Sequence, residues 1–143
     1  MQGIAAVLAG LMLMVLSAGA STPPIDYEKV RMAGVQRMMG HWVRYIMLSG
    51  DSPCITVQIF KSANMEGLVH QKKICSLGKM SFHDDFAFVD VRTIEFEQDQ
   101  LSLEMVFFGL RGGAREEGKC SIAIGTSSIG DLECSLEYGS EYH

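Results

Sequence analysis

Residues 40–46 read Gly-His-Trp-Val-Arg-Tyr-Ile and hold the only tryptophan of the 143-residue chain. They lie where an amphipathic segment ends and a series of alternating apolar and polar segments begins. Alternation with a period of two indicates β-strands that bury one face. A large aromatic ring at this junction is well placed to close one end of a rolled-up sheet. We therefore predict that Gly40 and Trp42 mark the closed end of a β-barrel.

The segment before this junction has helical spacing. Residues 21–24 are predicted to be extended, because each proline disfavours helix at the residue before it. Apolar side chains then recur on one side of a helix spanning 25–39, and Gly40 is a natural stop. Gly34 lowers the stability of such a helix by roughly 1 kcal/mol relative to alanine, so the helix would need a packing partner. The apolar positions are Met32, Val35, Met38 and Met39.

Strand-like segments joined by short turns make up the rest of the chain. No helical pattern separates them, which excludes a parallel βαβ sheet. Closure of an antiparallel meander hides its two edges. The predicted fold is therefore all-β with a short N-terminal helix, followed by an up-and-down barrel of about eight strands over 40–143; a β-sandwich is the alternative. The predicted strands span 42–48, 54–60, 68–75, 80–82, 86–96, 101–107, 119–125 and 131–138.

The apolar pattern changes phase inside the segment 86–96. Val89 and Val91 alternate in one register, whereas Ile94 and Phe96 alternate in the other. One extra residue in a strand reverses the direction of the side chains that follow it. We therefore predict a bulge or a bend near Arg92-Thr93.

The first 20 residues indicate the compartment. Residues 3–20 carry no charge and end in Ala18-Gly19-Ala20, a small-residue cleavage pattern. This pattern predicts a signal peptide over 1–20 and a secreted or periplasmic protein. The alternative is a retained membrane anchor, because an apolar run of about 18 residues is near the spanning minimum.

The four cysteines predict two disulfides, since an even count behind a signal peptide is typical of an oxidising compartment. The strand register favours pairing Cys54 with Cys75 and Cys120 with Cys134, because directly opposed antiparallel residues lie within disulfide reach. Crossing bridges between distant strands remain the alternative. The same register places Ile122 opposite Leu132, Ile55 opposite Ile74 and Phe60 opposite Val69.

Composition excludes some function classes. An apolar fraction of 48% is enough for one packed core. The net charge is −5 and there is no basic run, which argues against binding to nucleic acid or to anionic lipid. A membrane would be a partner only if the N-terminal apolar segment were retained.

Catalytic, metal and cofactor sites are not predicted. The four histidines form no spaced ligand pair, and His83-Asp84-Asp85 is interpreted as a solvated turn. The Ser- and Gly-rich segment 125–130 lacks the strand-to-helix context of a nucleophile elbow and is interpreted as a hairpin turn. We therefore expect no enzyme activity.

Two stretches are candidate partner contacts. The first is the N-terminal segment Ser21, Thr22, Pro23, Pro24 and Ile25. The second is the glycine-rich loop 109–118, which carries Arg111 and Arg115. Loops carry much of the binding in proteins, although most loops are only connections.

Gly40 and Trp42 at the start of the first predicted strand resemble the lipocalin and calycin pattern. In layout the chain is similar to the secreted metalloprotease inhibitors of the Inh type, on Gly40-His41-Trp42, Cys54-Ile55-Thr56-Val57 and Cys75-Ser76-Leu77. The resemblance implies a small eight-stranded barrel whose N-terminal segment, 21–25, inserts into a protease cleft.

Two function hypotheses follow. The first is a secreted or periplasmic protein-binding domain, such as a protease inhibitor, with a filled interior. The second is a lipocalin-like carrier of a small apolar ligand, with a hollow interior of several hundred cubic ångströms, the usual pocket scale.

Overall fold

The computed structural model describes residues 25–110 and 114–138, which are almost wholly antiparallel β-structure. Within these ranges a 3-10 turn at Tyr27–Lys29 is the one helical element, and no helix has the length and apolar character needed to cross a membrane. The strands are β1 (Val30–Met38), β2 (His41–Leu48), β3 (Ile55–Phe60), β4 (Leu68–Ile74), β5 (Ser76–Leu77), β6 (Met80–Ser81), β7 (Phe86–Phe96), β8 (Gln100–Gly109), β9 (Arg115–Ile124) and β10 (Ile129–Tyr138).

The strands form three antiparallel sheets. The first has the order β1-β2-β3-β4, the second has the order β7-β8-β9-β10, and β5 and β6 form a two-stranded ribbon. The predicted barrel is wrong, because among the described strands β1 does not pair with β7 and β4 does not pair with β10. The β5–β6 ribbon separates β4 from β7 along the chain, so β7 begins a new sheet. The arrangement fits a β-sandwich, the alternative architecture.

The core lies between the two four-stranded sheets. Alternate residues of each strand point into it, and the hydrophobic cluster draws on both sheets. Large side chains fill this interior, since ten of them are less than 2% exposed. These ten are Val43, Met47, Ile55, Val57, Ile59, Leu101, Leu103, Met105, Phe107 and Ile122.

Ion pairs connect the edges of the two sheets. Arg31 on β1 lies 3.7 Å from the Asp90 carboxylate on β7. Lys72 on β4 reaches β10, where its Nζ lies 2.6 Å from Asp131 Oδ1 and donates to the Ile129 carbonyl at 3.3 Å. These groups are partly exposed, so each pair is worth about 0–1 kcal/mol. Stability therefore comes mainly from the core.

The predicted N-terminal helix is wrong, because residues 30–38 form the edge strand β1. Met32 and Met38 satisfy a period of two as well as a helical period, and both point toward the core. Gly34 explains why this segment is a strand and not a helix. It pairs with Tyr45, whose ring covers it so closely that a Cβ would lie 2.6 Å from Tyr45 Cε1. The glycine that weakens a helix here makes room for an aromatic ring.

Gly40 is a hairpin residue rather than a helix stop. Met39 and Gly40 have φ of 47° and 81°, between the paired residues Met38 and His41. Two positive φ angles in a two-residue loop are the geometry that matches the twist of a β-hairpin. The junction singled out by the sequence is therefore the tip of the β1–β2 hairpin.

Trp42 does not close a barrel. Val43, Tyr45 and Met47 point into the core, so alternation places Trp42 on the outer face of the first sheet. There it is half-buried and lies opposite Phe60 of β3. Since the sheets do not close, the role predicted for Gly40 and Trp42 does not exist.

The register predictions are confirmed in most places. β7 shifts register between Val91 and Thr93, where a bulge or a bend is predicted. The disulfides join Cys54 to Cys75 and Cys120 to Cys134. Ile122 lies opposite Leu132 and Ile55 opposite Ile74, as predicted. The Phe60–Val69 pair is wrong, because an irregularity after Ile59 places Phe60 opposite Leu68.

We predict that Gly34→Ala destabilises the protein by about 1–3 kcal/mol, the usual cost of overpacking. The Tyr45 ring cannot move aside freely, since it is 7% exposed and packs on Phe96 with ring centroids 5.4 Å apart. A helix would instead be stabilised by this change. Urea unfolding measures the difference. Gly50→Ala is the control, because nothing lies within 4 Å of its Cβ position; a Gly34→Ala variant as stable as wild type would contradict the packing.

The buried Tyr45 phenol leads us to predict that the protein becomes less stable at alkaline pH. Burial raises the pKa of the Tyr45 phenol, whose hydroxyl donates to the Ile94 carbonyl at 3.4 Å. Above about pH 10 the unfolded chain releases this proton while the folded protein keeps it, so the free energy of unfolding falls. Below that pH the group has no such effect. Urea midpoints between about pH 8 and 11 should fall less steeply in Tyr45→Phe than in wild type; equal slopes would overturn the assignment.

Candidate functional site

The two ends of the sandwich are fixed by the hairpin turns. An open groove of about 610 Å³ lies between residues 36–39 of the β1–β2 hairpin and residues 96–99 of the β7–β8 hairpin. These two turns therefore lie at one end, called here the Met39 end. Since all neighbouring strands are antiparallel, the starts of β1, β3, β7 and β9 lie at the opposite end.

This opposite end is called the Tyr27 end and comprises residues 25–29, the connection 49–54, the segment 75–85 and the described residues around the β8–β9 connection. Both candidate partner segments predicted from the sequence lead to it. Ile25 precedes β1, and Arg115 begins β9. Ser21, Thr22, Pro23, Pro24 and Arg111 lie outside the described residues.

The chain is anchored just after the N-terminal candidate segment. Asp26 caps the 3-10 turn by accepting from the Glu28 amide at 3.2 Å. The Lys29 carbonyl accepts from the Ser49 amide at 2.8 Å, which ties this turn to the β2–β3 connection. Ile25 is half-buried, whereas Tyr27 is 74% exposed. The start of the described chain is thus held at the Tyr27 end with an aromatic side chain facing solvent.

An aromatic corner, defined as Phe88, Phe108 and Leu110, lies beside the glycine-rich loop. Phe88 pairs with Phe108 across β7 and β8, with ring centroids 5.9 Å apart. Phe88 is 54% exposed and Leu110 is 59% exposed. Arg115 pairs with Phe108 across β8 and β9, and its exposed guanidinium bonds the Glu117 carboxylate. Exposed apolar side chains bordered by charge are typical of a protein-binding surface.

The outer face of the first sheet offers less free surface. Phe60 is 5% exposed because the Arg44 guanidinium lies over its ring, 5.0 Å from the centroid. Arg44 in turn donates to Gln58 Oε1 at 2.9 and 2.7 Å, and Gln58 donates to Gln71 at 2.6 Å. The polar groups of Arg44, Gln58 and Gln71 therefore bond one another, and the Arg44 guanidinium covers the Phe60 ring.

The outer face of the second sheet is charged. A cleft of about 120 Å³ is bordered by Arg92 and Lys119 and by the acidic Glu104, Glu117 and Glu137. Arg92 lies 3.7 Å from the Glu117 carboxylate. Both signs of charge are interspersed here, which is the usual character of a solvated face.

His83 lies at the Tyr27 end in an exposed turn, as predicted for residues 83–85. The Cys54–Cys75 disulfide lies beside it, which no pattern in the sequence indicates: the His83 Nε2 is 3.3 Å from Cys54 Sγ. These three side chains form a cluster with metal-ligand chemistry. While the two sulfurs are bonded to each other they are not thiolates, the form that binds metals.

Sequence reasoning found the loop but missed its aromatic neighbours. At Phe88 the sequence predicts only a strand. The pair Phe107-Phe108 held a usable signal, because alternation sends one ring inward and the next outward. Phe107 is 1% exposed and Phe108 is half-buried.

Comparison with protein-family models, curated proteins and solved structures finds no match for this chain. The resemblance to lipocalins and to Inh-type inhibitors therefore stays a prediction.

The aromatic corner should be nearly dispensable for folding. We predict that Phe88→Ser lowers the free energy of unfolding by less than about 1 kcal/mol, the scale of one exposed cross-strand pair. Phe107→Ala, in the core, should cost about 3–5 kcal/mol. Chemical denaturation of both variants measures the contrast. A large cost at Phe88 would assign that ring to the fold instead of to a binding surface.

Proposed function

We propose that this chain is a secreted or periplasmic protein-binding domain that contacts its partner through the Tyr27 end. The observation that carries the proposal is the aromatic corner, in which Phe88 and Leu110 are exposed and Phe108 is half-buried, at the end from which the N-terminal segment leads into β1. Aromatic side chains and arginine are enriched where protein partners bind. Two disulfides are compatible with an oxidising compartment.

The filled interior favours this proposal over a carrier of small apolar ligands. A carrier needs a hollow of several hundred cubic ångströms lined by apolar groups. Between these sheets, Ile55, Val57 and Leu101 are 0% exposed. The groove of about 610 Å³ lies outside the core at the Met39 end, and its lining includes Gln36, Arg37, Glu97 and Asp99.

A protease inhibitor is the specific form of this function that we propose. The resemblance to Inh-type inhibitors supports it, because in those proteins the N-terminal segment inserts into the protease cleft. Here residues 21–25 would supply that segment. The aromatic corner and Arg115 would supply a second contact at the same end.

Inhibition of secreted metalloproteases tests the proposal. The protein starting at Ser21, with its disulfides formed, is compared with one starting at Ile25 and with Phe88→Ser. Each loss should weaken inhibition at least about tenfold, the effect of losing a hot-spot contact of about 1.4 kcal/mol.

The matched control is Leu68→Ser, because Leu68 is 40% exposed at the Met39 end. It should change inhibition less than about twofold, since exposed substitutions outside an interface have small effects. No inhibition by the wild type would end the protease form of the proposal. An effect of Leu68→Ser equal to that of Phe88→Ser would overturn the choice of the Tyr27 end.

A further inference from the structure

One disulfide has a histidine at its sulfur and the other does not. His83 Nε2 lies 3.3 Å from Cys54 Sγ. Among the described residues, no histidine contacts the Cys120–Cys134 bridge. The two disulfides are otherwise alike in exposure: Cys54 and Cys120 are each 3% exposed, and Cys75 and Cys134 are each half-buried. The Cys120–Cys134 disulfide is therefore an internal control for the effect of His83 on Cys54–Cys75.

Hydrogen bonds hold His83 in this position. The His83 amide donates to Ser81 Oγ at 3.3 Å, and the Asp85 amide donates to the Ser81 carbonyl at 3.0 Å. The Ser81 amide donates to Asp85 Oδ2 at 2.6 Å, which closes the turn from both sides. The Phe82 amide bonds the Cys75 carbonyl at 2.9 Å, and the Phe82 side chain is 2% exposed, so the turn is tied to the disulfide and to the core.

The two cysteines of this bridge differ in exposure, since Cys54 is 3% exposed and Cys75 is half-buried. An external thiolate attacks the disulfide sulfur that it can reach, and the other sulfur must leave as a thiolate. Cys54 is buried, so attack falls on Cys75 Sγ and the leaving sulfur is Cys54 Sγ. That is the sulfur beside His83. An imidazole N–H stabilises a thiolate by hydrogen bonding, and an imidazolium does so more strongly.

We propose that Cys54–Cys75 is a thiol–disulfide exchange site in which His83 supports the departure of Cys54. In the step, the thiolate of an external dithiol forms an S–S bond with Cys75 Sγ. The Cys54–Cys75 bond breaks, its electron pair goes to Cys54 Sγ, and His83 Nε2 donates a hydrogen bond or a proton to that sulfur. The second thiol of the dithiol then displaces Cys75, so the dithiol is oxidised and the protein disulfide is reduced. This activity is separate from the proposed protein binding.

Reduced glutathione is the probe. The oxidised protein is incubated with it under native conditions, free thiols are alkylated at intervals, and peptide mass spectrometry follows each disulfide. We expect Cys54–Cys75 to open faster than Cys120–Cys134, and the trapped mixed disulfide to carry glutathione on Cys75. His83→Ala should slow the opening of Cys54–Cys75 about tenfold, the effect of losing one hydrogen bond to a developing charge.

His70→Ala is the matched control, because His70 is an exposed histidine on β4 away from both disulfides. It should leave both rates unchanged, and His83→Ala should leave the Cys120–Cys134 rate unchanged. Three results would each overturn the proposal: glutathione trapped on Cys54, an unchanged or faster opening in His83→Ala, or equal slowing at both disulfides. Thermal unfolding of each variant shows that the folded state is being compared, since loss of an exposed side chain should shift it little.

Discussion

Each of the two four-stranded sheets has an apolar face that the other sheet covers, and this mutual burial is the constraint on which the structure depends. The Tyr45 ring shows how close the packing is. It lies over Gly34 in its own sheet, packs on Phe96 of the other sheet, and donates to the Ile94 carbonyl. Interiors packed at this density tolerate little change in volume. Because the core holds the sheets together, the connections at the two ends are free to differ.

The strands after residue 40 could be predicted because their apolar residues repeat with a period that only one structure satisfies. The clean alternation around Cys120 and Cys134 specified the register, and the register specified the disulfides. The phase change near Arg92 specified the bulge. In each case a shift of one residue would turn the buried side chains to solvent. Strand register can therefore be predicted from the sequence wherever one face of the strand is buried.

The first strand and the closure of the sheets could not be predicted in this way. Met32 and Met38 fit both a helix and a strand, and the reason for choosing the strand, the space that Gly34 leaves for Tyr45, is a contact between strands. Closure of the sheets into a barrel depends on whether their edge strands pair. The alternation of apolar residues within each strand carries no information about that pairing. Trp42 was misassigned for the same reason. The candidate site was also predicted only in part. The loop near Arg115 can be recognised in the sequence, but its position beside Phe88 arises only from the pairing of β7 with β8.

The connections support the choice of the Tyr27 end in the proposed protein-binding function. The tight turns 39–40, 97–99 and 125–128 lie at the Met39 end, where Gly125 and Ile124 amides bond carbonyls across the hairpins. The connection 61–67 lies there too and closes on itself, because the Lys61 amide donates to the Gly67 carbonyl at 3.1 Å. Such turns hold their backbone polar groups among themselves and leave few side chains to reach a partner. At the Tyr27 end the chain crosses through 49–54 and through the long segment 75–85. That segment is held by a disulfide and by buried Phe82, so it is long yet anchored. A surface that is already ordered loses less entropy when it binds, which is what a protein-binding end requires.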